Sequence, residues 1–221
     1  MDYLDYDLIK SNPKVFCGFS DFTALNNGIY AKTGLITYSG PFFGSFAYDN
    51  IEYMIEYFKK MICSNNEVSI NDKKMVSLQC GESEGVVIGG NLSTINLLFG
   101  TEYMPSLKNS IIFLENDSDT INSDDLTFRR IFQSLIHQNN FKYIKGIVFG
   151  DFQKPEDNNN SYVNIEKIKY IIELHEEKLK NIPIICNANF GHTQPIFTFS
   201  IGGKANIISE DNENLIKFYN S

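Results

Sequence analysis

The sequence predicts an α/β fold with a parallel sheet. Two observations carry that expectation. Short apolar runs alternate with segments of helical period, which is the strand–helix–strand–helix order of a parallel α/β sheet. Three of the apolar runs also end in a polar residue of catalytic type, and ligand sites in open α/β sheets lie off the carboxyl ends of strands.

The elements follow in order. KVFCG (14–18) reads as a short buried strand. The turn GFSD leads into DFTALNNGIYAKTG, where Phe22, Leu25 and Ile29 share a helical face and Gly34 is a stop signal. LITYSG (35–40) is a second strand, and NIEYMIEYFKKMIC (50–63) is a helix with Ile51, Met54, Ile55, Phe58 and Ile62 on one face. SNNEVSINDKK (64–74) is polar and marks a change of domain. GVVIGGNLSTINLLFG (85–100) reads as strand, glycine turn and helix. IIFLEN (111–116) is a strand, and SDDLTFRRIFQSLIHQ (123–138) is a helix with Ser123 as its N-cap. IKGIVFGDF (144–152) is a strand, followed by the loop KPEDNNNS and the helix VNIEKIKYIIELHEEKL (163–179). IPIICNANF (182–190) is a strand that runs into GHTQP, and FTFSIGGKANIIS (197–209) reads as a hairpin turning at Gly202-Gly203.

Composition narrows the function classes. The chain has 221 residues, 43% of them hydrophobic, enough for one large domain or two modest ones. No apolar run approaches the roughly 18 residues of a spanning helix, so no membrane partner is expected. MDYLDYDLIK lacks the features of a secretory signal, and the cytoplasm is the expected compartment. A net charge of −8 argues against nucleic acid as a partner, because phosphate binding draws on clustered Lys and Arg. Cys17, Cys63, Cys80 and Cys186 are widely spaced with no C-x-x-C pair, which argues against a zinc site or disulfide framework. Cys17 and Cys186, in apolar runs, read as small buried hydrophobes.

The three strand-end residues are Ser20, Glu115 and His192. Ser, His and a carboxylate are the parts of a nucleophilic triad, in which His takes the serine proton and the carboxylate fixes the imidazole. Each alone has a plainer reading: Ser20 as a helix cap, Glu115 as a solvated strand end, His192 as a loop histidine. The other two histidines, His137 and His175, fall inside predicted helices; only His192 sits in a loop bounded by Gly and Pro. The turn at Ser20 would then be a nucleophile elbow. GGN (89–91) invites a phosphate-cradle reading, but neither a P-loop nor a complete G-x-G-x-x-G is present, and a tight turn at a helix start fits better. Asp117, Asp119, Asp124 and Asp125 cluster after Glu115 without EF-hand spacing, so capping and solvation are preferred to a metal site.

Taken together, the segments 4–41, 51–60, 85–105, 111–116, 144–152 and 189–207 resemble the LD-carboxypeptidase family of serine peptidases, particularly its branch like the microcin C self-immunity peptidase. The combination of FSDxT, GGNL, FLE and GHT-P carries the resemblance. It implies a partial parallel flavodoxin-like N-terminal layer followed by a smaller C-terminal α/β domain with a barrel-like sheet. The domains implied are the nucleophile domain at 1–66, a linker at 67–84, and a domain carrying Glu and His at 85–221. Ser20 maps onto the family's nucleophile, Glu115 onto its carboxylate and His192 onto its base, with the Asp21 backbone N–H as an oxyanion donor. The resemblance implies no cofactor and no metal, a cytoplasmic homodimer, and amide hydrolysis. The implied substrate is a murein L,D-tetrapeptide or an aminoacyl-nucleotide-like compound.

Family chains carry a further βαβ stretch ahead of LDYDLI, with an R-G-G-Y-G-like turn that offers a second oxyanion donor. A rival expectation follows: an N-terminally truncated, inactive member acting at most as a binding protein. A nucleotide-binding module without catalysis is a third reading, resting on GGN and fold analogy alone.

Overall fold

A computed structural model describes residues 1–49, 51–64, 66–117, 125–152, 163–211 and 213–219. Along the chain run α1 (Tyr6–Ser11), α2 (Phe22–Thr33), β1 (Thr37–Ser39), α3 (Glu52–Cys63), β2 (Val68–Ile70), β3 (Val76–Gln79), β4 (Gly81–Asn91) and α4 (Leu92–Asn96). Then come β5 (Ser110–Glu115), α5 (Asp125–Ile136), β6 (Gly146–Gly150), α6 (Ile165–Leu174), α7 (Glu176–Leu179), β7 (Ile184–Ala188), β8 (Phe199–Ile201), β9 (Lys204–Ser209) and β10 (Asn214–Tyr219).

An eight-stranded sheet has the order β2-β10-β9-β4-β5-β6-β7-β3. Its four middle strands, β4 to β7, are parallel, as the sequence predicts. The flanking pairs are antiparallel. β5 shows why the middle is parallel: all six of its residues are buried, so both faces are covered. Ile112 and Leu114 pack with the helix-side cluster that includes Phe128, Phe132 and Ile168. Ile111 and Phe113 pack on the opposite face with Phe190, Phe199 and Phe218. The sheet curls back on itself in the barrel-like manner expected. The Ser209 hydroxyl of β9 donates to Ser77 Oγ in β3 at 2.8 Å and to the Ile184 carbonyl in β7 at 3.2 Å, across several intervening strands.

A two-stranded sheet joins the halves of the chain, with β1 antiparallel to β8. Helix α2 docks on β4 next to it. The Asn27 side-chain amide donates to the Gly89 carbonyl at 2.8 Å and accepts from the Gly89 N–H at 3.1 Å. Thr23 Oγ1 accepts from the Asn91 N–H at 3.0 Å. GGN, expected as a turn, is instead the end of β4, and its glycines admit this close contact. A Cβ on Gly89 would lie 1.9 Å from the Phe113 carbonyl oxygen, and one on Gly90 would lie 2.5 Å from Thr23 Oγ1. Asn91 also caps α4, its Oδ1 accepting from Thr94 N–H at 3.0 Å, which agrees with the helix-start reading.

Several expectations need correction. KVFCG is reduced to a bridge: Phe16 to Gly18 pair in parallel with β1 through the carbonyl of Phe16 and the N–H and carbonyl of Gly18, while Val15 is exposed. Residues 67–84, expected as a linker, contribute β2, β3 and the start of β4 to the large sheet. Residues 197–209 do not form a hairpin, because β8 pairs with β1 and β9 with β4 and β10. The helix expected at 163–179 breaks at His175, and His137 lies just beyond the end of α5. The Ser123 cap, Asp119, Asp124 and the KPEDNNNS loop lie outside the described residues. Among the described residues no helix is long and apolar enough to cross a membrane.

Two stability and reactivity outcomes follow. Asn27→Ala leaves a buried N–H and a buried C=O unpaired, so urea unfolding should show a loss of about 2–4 kcal/mol. Burial pushes the Cys17 thiol up to about 12 and the Cys186 thiol up as well, whereas Cys63 and Cys80 are exposed. Thiol titration of the native chain at pH 8 should therefore count two fast-reacting groups, and four after unfolding.

Candidate active site

The site begins with a backbone conformation. Ser20 has φ +61, a left-handed value that a residue with a Cβ adopts only under constraint. Asp21 returns to helical angles and leads directly into α2. The plain cap reading does not hold: Asp21 makes no side-chain cap hydrogen bond, and the Ser20 hydroxyl faces an imidazole instead. The turn is braced from below. Asn26 of α2 donates to the carbonyls of Gly18 and Tyr38, at 3.0 Å each.

Ser20, Glu115 and His192, distant in sequence, converge. Ser20 Oγ lies 3.0 Å from His192 Nε2, and His192 Nδ1 lies 2.8 Å from Glu115 Oε2. The Glu115 side chain is 2% exposed and that of His192 18%. The parity of β5 places Glu115 on the Ile111–Phe113 face, at the carboxyl end of the strand. Such a buried carboxylate is costly unless it is bonded, and the imidazole supplies the bond. Space for it comes from two glycines. A Cβ on Gly191 (φ +106) would meet Glu115 Oε2 at 2.5 Å, and one on Gly150 would meet Glu115 Cβ at 2.9 Å.

Further residues hold the pieces, and the sequence did not single them out. Phe19 sets its ring edge-on to the His192 ring at 5.2 Å between centroids, and Phe42 packs on Phe19 at 5.6 Å. The buried Asn189 side chain donates to Asp72, and the Phe197 N–H donates to the Asn189 carbonyl, which anchors both ends of the histidine loop. Burial raises the pKa of Tyr53, whose hydroxyl also bonds Asn189. Asn116, after Glu115, accepts from the Ser93 N–H and hydroxyl at 3.1 and 2.8 Å. Asp117 accepts from Asn91 Nδ2 at 3.1 Å, a side-chain contact rather than a helix cap. Among the described residues no group of His, Cys, Asp and Glu side chains could hold a metal ion.

An α/β fold with a strained serine turn, an imidazole on the serine and a carboxylate on the imidazole meets the geometric requirements for an activated nucleophile. The chain belongs to the LD-carboxypeptidase family: residues 84–207 match the model of its C-terminal domain and residues 1–40 that of its N-terminal domain. A solved MccF-like protein from Bacillus anthracis str. Ames superimposes with a TM-score of 0.92 at 47% identity, covering 100% of this chain and 72% of its own. The microcin C7 self-immunity protein MccF of Escherichia coli is 31% identical over 245 residues, 97% of this chain and 68% of MccF. A muramoyltetrapeptide carboxypeptidase from Oxalobacter formigenes superimposes with a TM-score of 0.80 at 25% identity, covering 99% of this chain and 72% of its own. The chain spans about two thirds of the length of the curated relatives it matches.

Gly191→Ala tests the packing of the relay without reference to a substrate. The added methyl should push His192 away from Glu115, and the downfield imidazole Nδ1 proton of His192 should vanish from the proton NMR spectrum. Far-UV circular dichroism should remain that of the parent.

Proposed function

We propose that the chain is a serine peptidase that hydrolyses an amide through Ser20, His192 and Glu115. The observation that carries this reading is the hydrogen-bonded line from Ser20 Oγ through both ring nitrogens of His192 to Glu115 Oε2. His192 Nε2 takes the hydroxyl proton as Ser20 Oγ attacks the carbonyl carbon. Glu115 holds the ring in the tautomer that leaves Nε2 free to accept, and it stabilises the imidazolium. The Asp21 N–H, at the start of α2 where amides have no helical partner, receives part of the oxyanion. The imidazolium then gives its proton to the leaving amine. Water, deprotonated by His192, attacks the acyl-enzyme, and the carboxylic acid departs as Ser20 recovers its proton.

Two substrate classes fit the family. One is a murein tetrapeptide, as the name of the Oxalobacter carboxypeptidase indicates. The other is an aminoacyl-nucleotide-like amide, since MccF has been solved with glutamyl sulfamoyl guanosine and with aspartyl sulfamoyl adenosine. The greater likeness to the MccF-like protein favours the second. The reading includes a cytoplasmic homodimer, as the family resemblance implies.

The test offers an L,D-tetrapeptide and an aminoacyl sulfamoyl-adenylate to the purified chain. Hydrolysis of one of them should fall by about 10⁴-fold or more in Ser20→Ala and His192→Ala, and by a smaller factor in Glu115→Gln. Turnover unchanged by Ser20→Ala would sink the mechanism.

A further inference from the structure

A groove of about 530 Å³ lies between α5 and the end of α6, and it shares no residue with the Ser20–His192–Glu115 site. Its volume is within the range of about 300–1,000 Å³ typical of small-molecule pockets. Arg129, Arg130 and His175 line it together with Leu126, Ile171 and Leu174. Acidic residues outnumber basic ones in this chain, 27 to 19, and Arg129 and Arg130 are its two arginines. Both point into this one groove.

Neither guanidinium forms an ion pair with a carboxylate among the described residues. Arg129 instead lies over the Tyr170 ring, 5.4 Å from its centroid. That contact fixes the guanidinium plane and leaves its in-plane N–H donors for a ligand. Burial first, then Lys178, His137 and Arg129, hold the His175 pKa below the ordinary histidine value. Part of the lining is apolar and open, with Leu126 of α5 44% and Leu174 of α6 50% exposed beside the buried Ile171. Two unpaired forks beside an imidazole suit an anion of charge two with several acceptor oxygens. The leucine wall suits an apolar body attached to it.

We propose that this groove binds a phosphate monoester carried on an apolar or aromatic group, at a site separate from the serine centre. Calorimetric titration of the full chain with phenyl phosphate, beside inorganic phosphate, tests it. Phenyl phosphate should bind with a dissociation constant below about 1 mM, and inorganic phosphate should bind about tenfold more weakly for want of the leucine contact. Arg130→Gln, at an exposed position, should weaken phenyl phosphate about tenfold, and Arg129→Gln/Arg130→Gln should abolish its binding. Circular dichroism and the native thiol count confirm that each variant is folded. No heat with phenyl phosphate overturns the proposal. So does equal affinity for the double-glutamine variant, which would place the ligand elsewhere, and so does equal affinity for inorganic phosphate.

Discussion

The structure turns on the docking of α2 against β4. Ser20 stands at the head of α2, and its partner His192 is 172 residues further along the chain. The serine hydroxyl therefore meets the imidazole only if the helix is held at one height and one angle on the sheet. The Asn27 amide does this by bonding both polar groups of Gly89, and Thr23 repeats the contact one turn earlier at Asn91. These bonds are buried, so a slide of the helix would leave amide groups unpaired at a cost of about 1–3 kcal/mol each. Register and chemistry share one seam.

The carboxylate is held by a different device. Below Glu115 the packing is aromatic: Phe113 lies against Phe190 at 5.6 Å and Phe199 at 4.8 Å. Those rings belong to β5, to the histidine loop and to β8, the partner of β1. One aromatic cluster thus ties together the three segments that bring Glu115, His192 and the serine half of the chain to one place. Glycine at 150 and 191 then lets backbone close over the carboxyl group, which keeps water away and leaves the imidazole as its partner.

The parts of this arrangement that could be read in the sequence are those set by continuous apolar runs. β5, β6 and β7 were legible because a strand covered on both faces shows no polar break, and the residue that ends each run is then conspicuous. Glu115 and His192 were found in that way, and Ser20 by the sharp turn between an apolar run and a helix. KVFCG was read as a buried strand, but only Phe16 to Gly18 pair beside β1, and Val15 is exposed. β2 and β3 were missed because short strands at the sheet margins carry polar residues on their open face, as in VSI with Ser69 exposed. Asn27 was invisible for a related reason: an amide on a helix reads as surface until its backbone partner, 62 residues away, is known.

Relay and surroundings are carried by different kinds of element. Glu115 sits on a strand end, and the His192 loop is pinned through Asn189, so neither can shift without breaking buried contacts. The wall beside the serine is built otherwise. Phe19 packs on the imidazole and Phe42 packs on Phe19, while Phe43, next to Phe42, is 95% exposed. A change at Phe19 removes the ring that packs against His192. Relatives as differently named as a muramoyltetrapeptide carboxypeptidase and a microcin C7 self-immunity protein share this fold.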